Sequence, residues 1–272
     1  MPYSAMELAE VFLRTGELTD ALDALNEQLS EYPDDDYARR LRIQTNMRLL
    51  DRSSLKSALN DLTQLTEKIA TDYQTQSIIY QKMGNSDKAL KIMQTAHDID
   101  PQDERITEGL IDLLVGAEQY ELALEIIREQ EKNWRWLERE GDILILIGND
   151  ILAIARYGLV LAHLSELDGI MNENYLQALK LRVMLARAHA YRRLDYTDLA
   201  RELYETAQTI IGEDATITFN LGLLAEIDGQ HRQAISNCRK ALANASPILQ
   251  QTMLASITDK PKFAKLKQAL NI

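Results

Sequence analysis

Apolar residues recur along this chain at the 3.6-residue spacing of helices that bury one face, which leaves little room for a sheet. The residues that interrupt them recur as well. GELTDALDALNEQLSEYP, from Gly16 to Pro33, returns as GNSDKALKIMQTAHDIDP, from Gly84 to Pro101, 68 residues or two periods of 34 further on. In each copy alanine follows glycine by five residues (Ala21, Ala89) and proline follows it by seventeen. The spacing predicts a helical hairpin. Glycine ends a first helix by taking the left-handed conformation, a polar residue caps the next helix, and proline closes that helix just past its last turn. Alanine early in the second helix lets its partner approach closely.

A period of 34, small residues at the close contacts and a late proline together resemble the tetratricopeptide repeat (TPR) family, in which each repeat is a helix, a turn and a second helix. With the glycine at position 15 of a 34-residue frame, four repeats follow in register at 2–35, 36–69, 70–103 and 104–137. The third carries Tyr80, Gly84, Ala89, Ala96 and Pro101 where the family has them; the fourth keeps Tyr120 and Ala123 but lacks the glycine and the proline. The second rests on register more than on motif, with Leu55, Leu59 and Leu62 at its packing positions and Ser53 and Ser54 as expected helix caps. Ala200, Tyr204 and Ala207 recur as Ala234, Cys238 and Ala241, which sets a second block of two repeats, 181–214 and 215–248. From Ala123 to Ala200 is 77 residues, two periods and nine more, so 138–180 is expected to hold one enlarged or irregular hairpin. The resemblance implies an all-α fold, an αα-superhelix or TPR solenoid of about seven helical hairpins. Its expected parts are an N-terminal block at 1–137, the irregular hairpin at 138–180, a C-terminal block at 181–248 and a capping helix at 249–272, in one continuous solenoid.

Composition narrows this picture. The single cysteine, Cys238, falls on a packing position and reads as a small buried residue, not a reactive thiol. The N-terminus, MPYSAMELAEVFLRTGELTD, is acidic and amphipathic with no basic start before an apolar stretch. Neither a secretory signal nor a lipoprotein anchor is therefore expected, and the cytoplasm is the default location. The run from Ile143 to Leu164, ILILIGNDILAIARYGLVLAHL, carries only Asp150 and Arg156 as formal charges. Gly148, Asn149 and Asp150 form a turn and cap signal that splits it into pieces too short for a bilayer core of about 30 Å, so no membrane span is expected. It reads as a buried central hairpin or, alternatively, as the seam of a homo-oligomer.

No catalytic constellation is visible. His97, His163, His189 and His231 stand far apart, and none has another histidine or a cysteine three to five residues away, so no metal site is expected. There is no glycine-rich phosphate loop and no Gly-x-Ser-x-Gly elbow, so neither a catalytic residue nor a cofactor is expected. The 42 Asp and Glu residues read as a solvated outer face.

In the family resembled, the first helices line a concave groove through repeat positions 2, 5, 9, 12 and 13. Carried onto this chain, that implies a peptide-binding groove lined by Tyr3, Arg14, Tyr37, Arg40, Gln44, Arg48, Gln74, Gln81, Lys82 and Arg105, and in the later block by Arg182, Leu185, His189, Arg192, Arg193, Phe219 and Leu223 among others. The thirty such positions carry eight basic and four acidic residues in a chain of net charge −12. The groove is therefore expected to favour an extended or helical peptide bearing Asp, Glu or a C-terminal carboxylate, gripped by arginine forks and by glutamines that meet its amides. A TPR subclass holds the C-termini of chaperones of the 70 and 90 kDa classes through a fixed set of Lys, Asn and Arg; Met6, Glu10, Leu41, Thr71 and Thr75 stand at those positions here, so that clamp is absent. A sequence pI near 4.9 argues against a nucleic-acid partner. The basic end, ITDKPKFAKLKQALNI, reads as a cap whose Phe263, Leu266 and Leu270 share one stripe. The sequence thus points to a non-catalytic protein-interaction scaffold or adaptor. Its alternatives are a ligand-responsive regulator and a self-associating assembly subunit.

Overall fold

The computed structural model describes residues 4–271, and among these it contains sixteen α-helices, one 3₁₀ turn and no strand. The chain divides into two compact units, Met1–Ile126 and Ile127–Ile272. The first holds α1 (Ala5–Thr15), α2 (Leu18–Glu31), α3 (Asp36–Leu49), α4 (Arg52–Thr63), α5 (Ala70–Lys82), α6 (Ser86–Ile99) and α7 (Glu104–Gly116), and the boundary falls within α8 (Tyr120–Glu129). The second holds α9 (Trp134–Leu146), α10 (Asp150–Glu166), α11 (Glu173–Arg193), α12 (Thr197–Ile211), α13 (Ala215–Ile227), α14 (His231–Asn244), α15 (Pro247–Thr258), the 3₁₀ turn Pro261–Phe263 and α16 (Ala264–Leu270). Within the first unit α1 packs on α2, α3 on α4 and α5 on α6, and each of these second helices packs on the helix that follows it. In the second unit every helix from α9 to α13 packs on its successor, and α14 packs on α16. Each unit is a stack of helical hairpins.

The turns inside the hairpins share one backbone feature. A residue of positive φ stands at Gly16, Leu50, Gly84, Glu118, Gly148, Asp195 and Gly229, at intervals of 34, 34, 34, 30, 47 and 34 residues. The first helix ends there in the left-handed conformation whether or not glycine is present, because that is what reverses the chain within two or three residues. The intervals also locate the irregularity: the fifth turn comes four residues early, and the thirteen extra residues before the sixth lengthen α10 to 17 residues and α11 to 21.

Close contact between the two helices of a hairpin depends on small side chains. Ala9, Ser77 and Ala188 on first helices and Ala21, Ala89, Ala200 and Ala234 on second helices are fully buried. Ser77 Oγ donates to the carbonyl of Ala89 at 2.6 Å, a distance only a small residue permits. A Cβ on Gly222 would lie 2.7 Å from Cys238 Sγ, and one on Gly141 would lie 2.7 Å from Cε1 of Tyr157. Cys238 is buried, and burial pushes its thiol up to about 12.

The run Ile143–Leu164 is divided by Ile147, Gly148 and Asn149, and Asn149 caps α10 by accepting from the Leu152 amide at 3.3 Å. Among the described residues no helix is long and apolar enough to cross a membrane. Two local expectations differ from the structure. The cap of α4 is Asp51, whose carboxylate accepts from the amides of Ser53 and Ser54 at 2.9 and 3.0 Å; the serines already lie inside the first turn. The expected helix over 249–272 is broken into α15, the 3₁₀ turn and α16. Pro261 supplies no amide and disfavours helical backbone at Lys260 before it. Phe263 and Leu266 pack with Phe219, Leu223, Cys238, Met253 and Ile257, so the end of the chain covers the last hairpin.

Leu50 and Glu118 hold φ of 61° and 58° in exposed turns where glycine is unstrained. Replacing either by glycine is expected to raise the stability of the first unit by about 1 kcal/mol despite the more flexible unfolded chain. A urea midpoint that falls for both variants would contradict this reading of the turns.

Candidate peptide-binding face

The ten residues expected to line the N-terminal part of the groove belong to the first unit, and Tyr3 among them lies outside the described residues. The other nine sit on first helices: Arg14 on α1, Tyr37, Arg40, Gln44 and Arg48 on α3, Gln74, Gln81 and Lys82 on α5, and Arg105 on α7. Helices α1 and α3 are joined here by polar contacts. Tyr37 Oη donates to Glu10 Oε1 at 3.4 Å, and Arg48 Nη1 reaches the Leu13 carbonyl at 3.5 Å. Arg14, Tyr37, Gln44, Arg48, Gln81 and Lys82 are exposed, whereas Gln74 is half-buried. Arg105 stands apart beside Asp103, 3.7 Å away, with its side chain 81% exposed.

Arg40 has a different role. Its Nε lies 3.0 Å from Asp72 Oδ1 and its Nη2 2.9 Å from Oδ2, while Nη2 also donates to the Glu67 carbonyl at 2.8 Å. This two-pronged pair joins α3 to α5 and uses the fork that was expected to meet a ligand. Asp72 also accepts from the Ile69 amide at 3.0 Å, so one carboxylate both caps α5 and holds the preceding hairpin. Asp36 makes a similar link, accepting from the amide and hydroxyl of Thr66 across the connection between α4 and α5. The sequence frame identified the face on which Arg40 lies but not its partner, because Asp72 falls at a repeat position outside the groove set.

In the second unit Arg182 forks Glu138 at 2.8 and 2.6 Å, joining α11 to α9. Arg193 Nε lies 3.2 Å from Asp150 Oδ1, and its Nη1 donates to the Ile145 carbonyl at 3.2 Å. Glu140 is buried between Arg128 and Arg156. Phe219 and Leu223, expected on the groove, are buried instead, because Met253, Ile257, Phe263 and Leu266 pack against them. Burial, then the neighbouring Arg192, Arg193 and Lys260, push the His189 imidazole down to about 4, so it is neutral at pH 7. Among the described residues no group of three His, Cys, Asp or Glu side chains could hold a metal ion.

Removing the carboxylate in Asp72→Ala leaves Arg40 without its ion pair and α5 without a cap. The expected loss is about 2 kcal/mol, reduced from that of a deeply buried pair because Arg40 keeps partial access to solvent. Urea denaturation checks it; an unchanged midpoint would mean that the pair is only a surface contact.

The family model described as tetratricopeptide repeat matches residues 73–103 and 174–214. These stretches contain α5 from its fourth residue with α6, and α11 from its second residue with α12. No curated protein matches the chain. Among solved structures it is similar to the C-terminal part of a TPR repeat-containing protein from Cytophaga hutchinsonii, with a TM-score of 0.66 and 16% identity over 86% of this chain and 93% of that one. It is also similar to a tetratricopeptide repeat protein from Parabacteroides merdae, with a TM-score of 0.58 and 16% identity over 94% of this chain and 99% of that one. A third similar structure is YrrB, described as a TPR protein with an unusual peptide-binding site, with a TM-score of 0.50 and 14% identity over 75% of this chain and 97% of that one. At such identities the likeness is one of fold, and it agrees with the hairpin stacks, the left-handed turns and the period of 34: the chain has an all-α fold of stacked hairpins, with tetratricopeptide repeats matched at residues 73–103 and 174–214.

Proposed function

We propose that this chain is a non-catalytic scaffold that binds a segment of a partner protein along the first helices of its N-terminal unit. The observation that carries the reading is the exposed row of Arg14, Tyr37, Gln44, Arg48, Gln81 and Lys82 on three successive first helices. Such a row offers cations for carboxylates and amides for a peptide backbone, spaced along a stack whose opposite side chains are already used in packing. The partner segment is acidic, because Arg14, Arg48 and Lys82 have no carboxylate of this chain beside them and are free to form charge-assisted hydrogen bonds with one that a partner supplies. The peptide-binding site named for YrrB is consistent with a protein partner. Net charge of −12 favours a protein over a nucleic acid.

A second reading has its own observation. Along α10, Ile151, Leu152 and Leu159 are exposed, Ile151 to 66%, next to exposed Leu146 and Ile147. This apolar stripe within the run Ile143–Leu164 fits self-association of the chain into a homo-oligomer.

Charge reversal at Arg14, Arg48 and Lys82 together to Glu is expected to abolish capture of partners held by the native chain, with the helical melting curve unchanged. Arg40 is left intact because its loss would disturb the fold. Persistence of the same partners, read by mass spectrometry after native pull-down, would place binding elsewhere. For self-association, light scattering after size exclusion is expected to give a multiple of 31 kDa for the native chain and 31.0 kDa for Ile151→Asp with Leu159→Asp. A native monomer would remove that second reading.

A further inference from the structure

The end of α11 carries charge that the chain itself does not balance. Arg192 is 2% exposed, makes no ion pair with a carboxylate, and its Nε is buried without a hydrogen-bond partner. Two other arginines with an orphaned Nε differ from it: Arg39 donates Nη1 to Gln64 Oε1 at 2.7 Å and Nη2 to the Pro33 carbonyl, and Arg187 donates Nη2 to Tyr191 Oη at 3.2 Å. Arginine does not give up its proton inside a protein, so the Arg192 guanidinium stays charged. Beside it the buried Tyr204 hydroxyl has the Arg192 guanidinium as its polar neighbour, without a hydrogen bond of good geometry between them.

Further cations surround these two orphans. Arg193 and Lys260 are both close enough to Arg192 to share its field at His189, and Lys260 is pushed down chiefly by burial and next by Arg192. Asp150 is the carboxylate that reaches this cluster, and Arg193 occupies it at 3.2 Å. Lys262 pairs with Asp195. Three cations, Arg192, Arg193 and Lys260, therefore share one carboxylate, beside a neutral His189 whose ring adds hydrogen-bonding capacity but no charge. A buried charge without a counter-charge is among the most costly arrangements in a folded chain, and it is relieved when the counter-ion comes from outside.

We propose that Arg192, Lys260 and the Tyr204 hydroxyl form a binding site for an oxyanion, either a carboxylate or a phosphate group. Arg192 supplies a planar fork of N–H donors, Lys260 a point charge, and the Tyr204 hydroxyl a third donor. The three come from α11, from the segment between α15 and the 3₁₀ turn, and from α12. An ion bridging Arg192 and Lys260 consequently ties the C-terminal cap to the hairpin of α11 and α12. This site goes beyond the peptide-binding reading and is independent of it, since it uses other residues in the other unit.

The test is thermal unfolding of the full chain in sodium chloride, inorganic phosphate or succinate at equal ionic strength and pH 7. The expected result is a saturable rise in Tm of about 3 °C with at least one oxyanion relative to chloride. Phosphate alone assigns a phosphoryl ligand and succinate alone a carboxylate. Arg192→Met is expected to unfold in chloride at a temperature no lower than the native chain, because it removes an unpaired buried charge, and to lose the response. Lys260→Gln, at a less buried position, is expected to weaken the apparent affinity about tenfold while keeping the native Tm in chloride. The proposal is overturned if neither oxyanion raises Tm above chloride, or if both variants respond as the native chain does.

Discussion

The close approach of the two helices in each hairpin is the constraint on which the rest depends. Helices reach such contact only where small residues face each other, and the buried alanines, Ser77 against Ala89 and Gly222 against Cys238 fill those positions here. Close contact demands a short turn, a short turn demands a residue of positive φ, and the period of the turns then sets the period of everything packed on them. Where Tyr157 occupies the space beside Gly141, a large side chain is matched by the absence of one, so the contact is kept while its chemistry changes.

The repeat fold was legible in the sequence because glycine, alanine and proline each have a steric reason for their position. Gly16 and Gly84 marked their turns directly, and Gly229 did so in the later block. Leu50, Glu118 and Asp195 take the same backbone conformation without its usual residue, so those turns were legible only through register. Asp51 is equally present to be read as a cap, but the serines that follow place the expected cap two or three residues too far along. Pro261 gave a break in the C-terminal helix that an apolar stripe alone could not show, because Phe263, Leu266 and Leu270 fit one face whether the backbone is continuous or not.

The candidate site was less legible. A repeat frame gives the face of a helix on which a residue lies, but pairing depends on the neighbouring repeat, which varies independently. Arg40, Arg182 and Arg193 all fall on the expected face, and all three are tied to carboxylates or carbonyls of an adjacent first helix. Each uses its charge to join one hairpin to the next. The basic excess counted along the groove positions is therefore smaller for a ligand than for the sequence.

That division of labour gives a physical criterion for where function lies on an acidic repeat chain. In a molecule of net charge −12, carboxylates are plentiful, so a buried arginine with neither a carboxylate nor a carbonyl or amide oxygen to donate to stands out. Exposed cations such as Arg48 and Lys82 can be neutralised by solvent at little cost, and leaving them unpaired is compatible with many roles. Arg192 has no such recourse, since its guanidinium is shut away from water while Asp150 is drawn to its neighbour Arg193. Helix α11 extends its arginines into a region where the C-terminal segment adds Lys260, although abundant acidic residues could have balanced the cluster at any of several positions. The arrangement is intelligible when the missing negative charge belongs to something the chain binds.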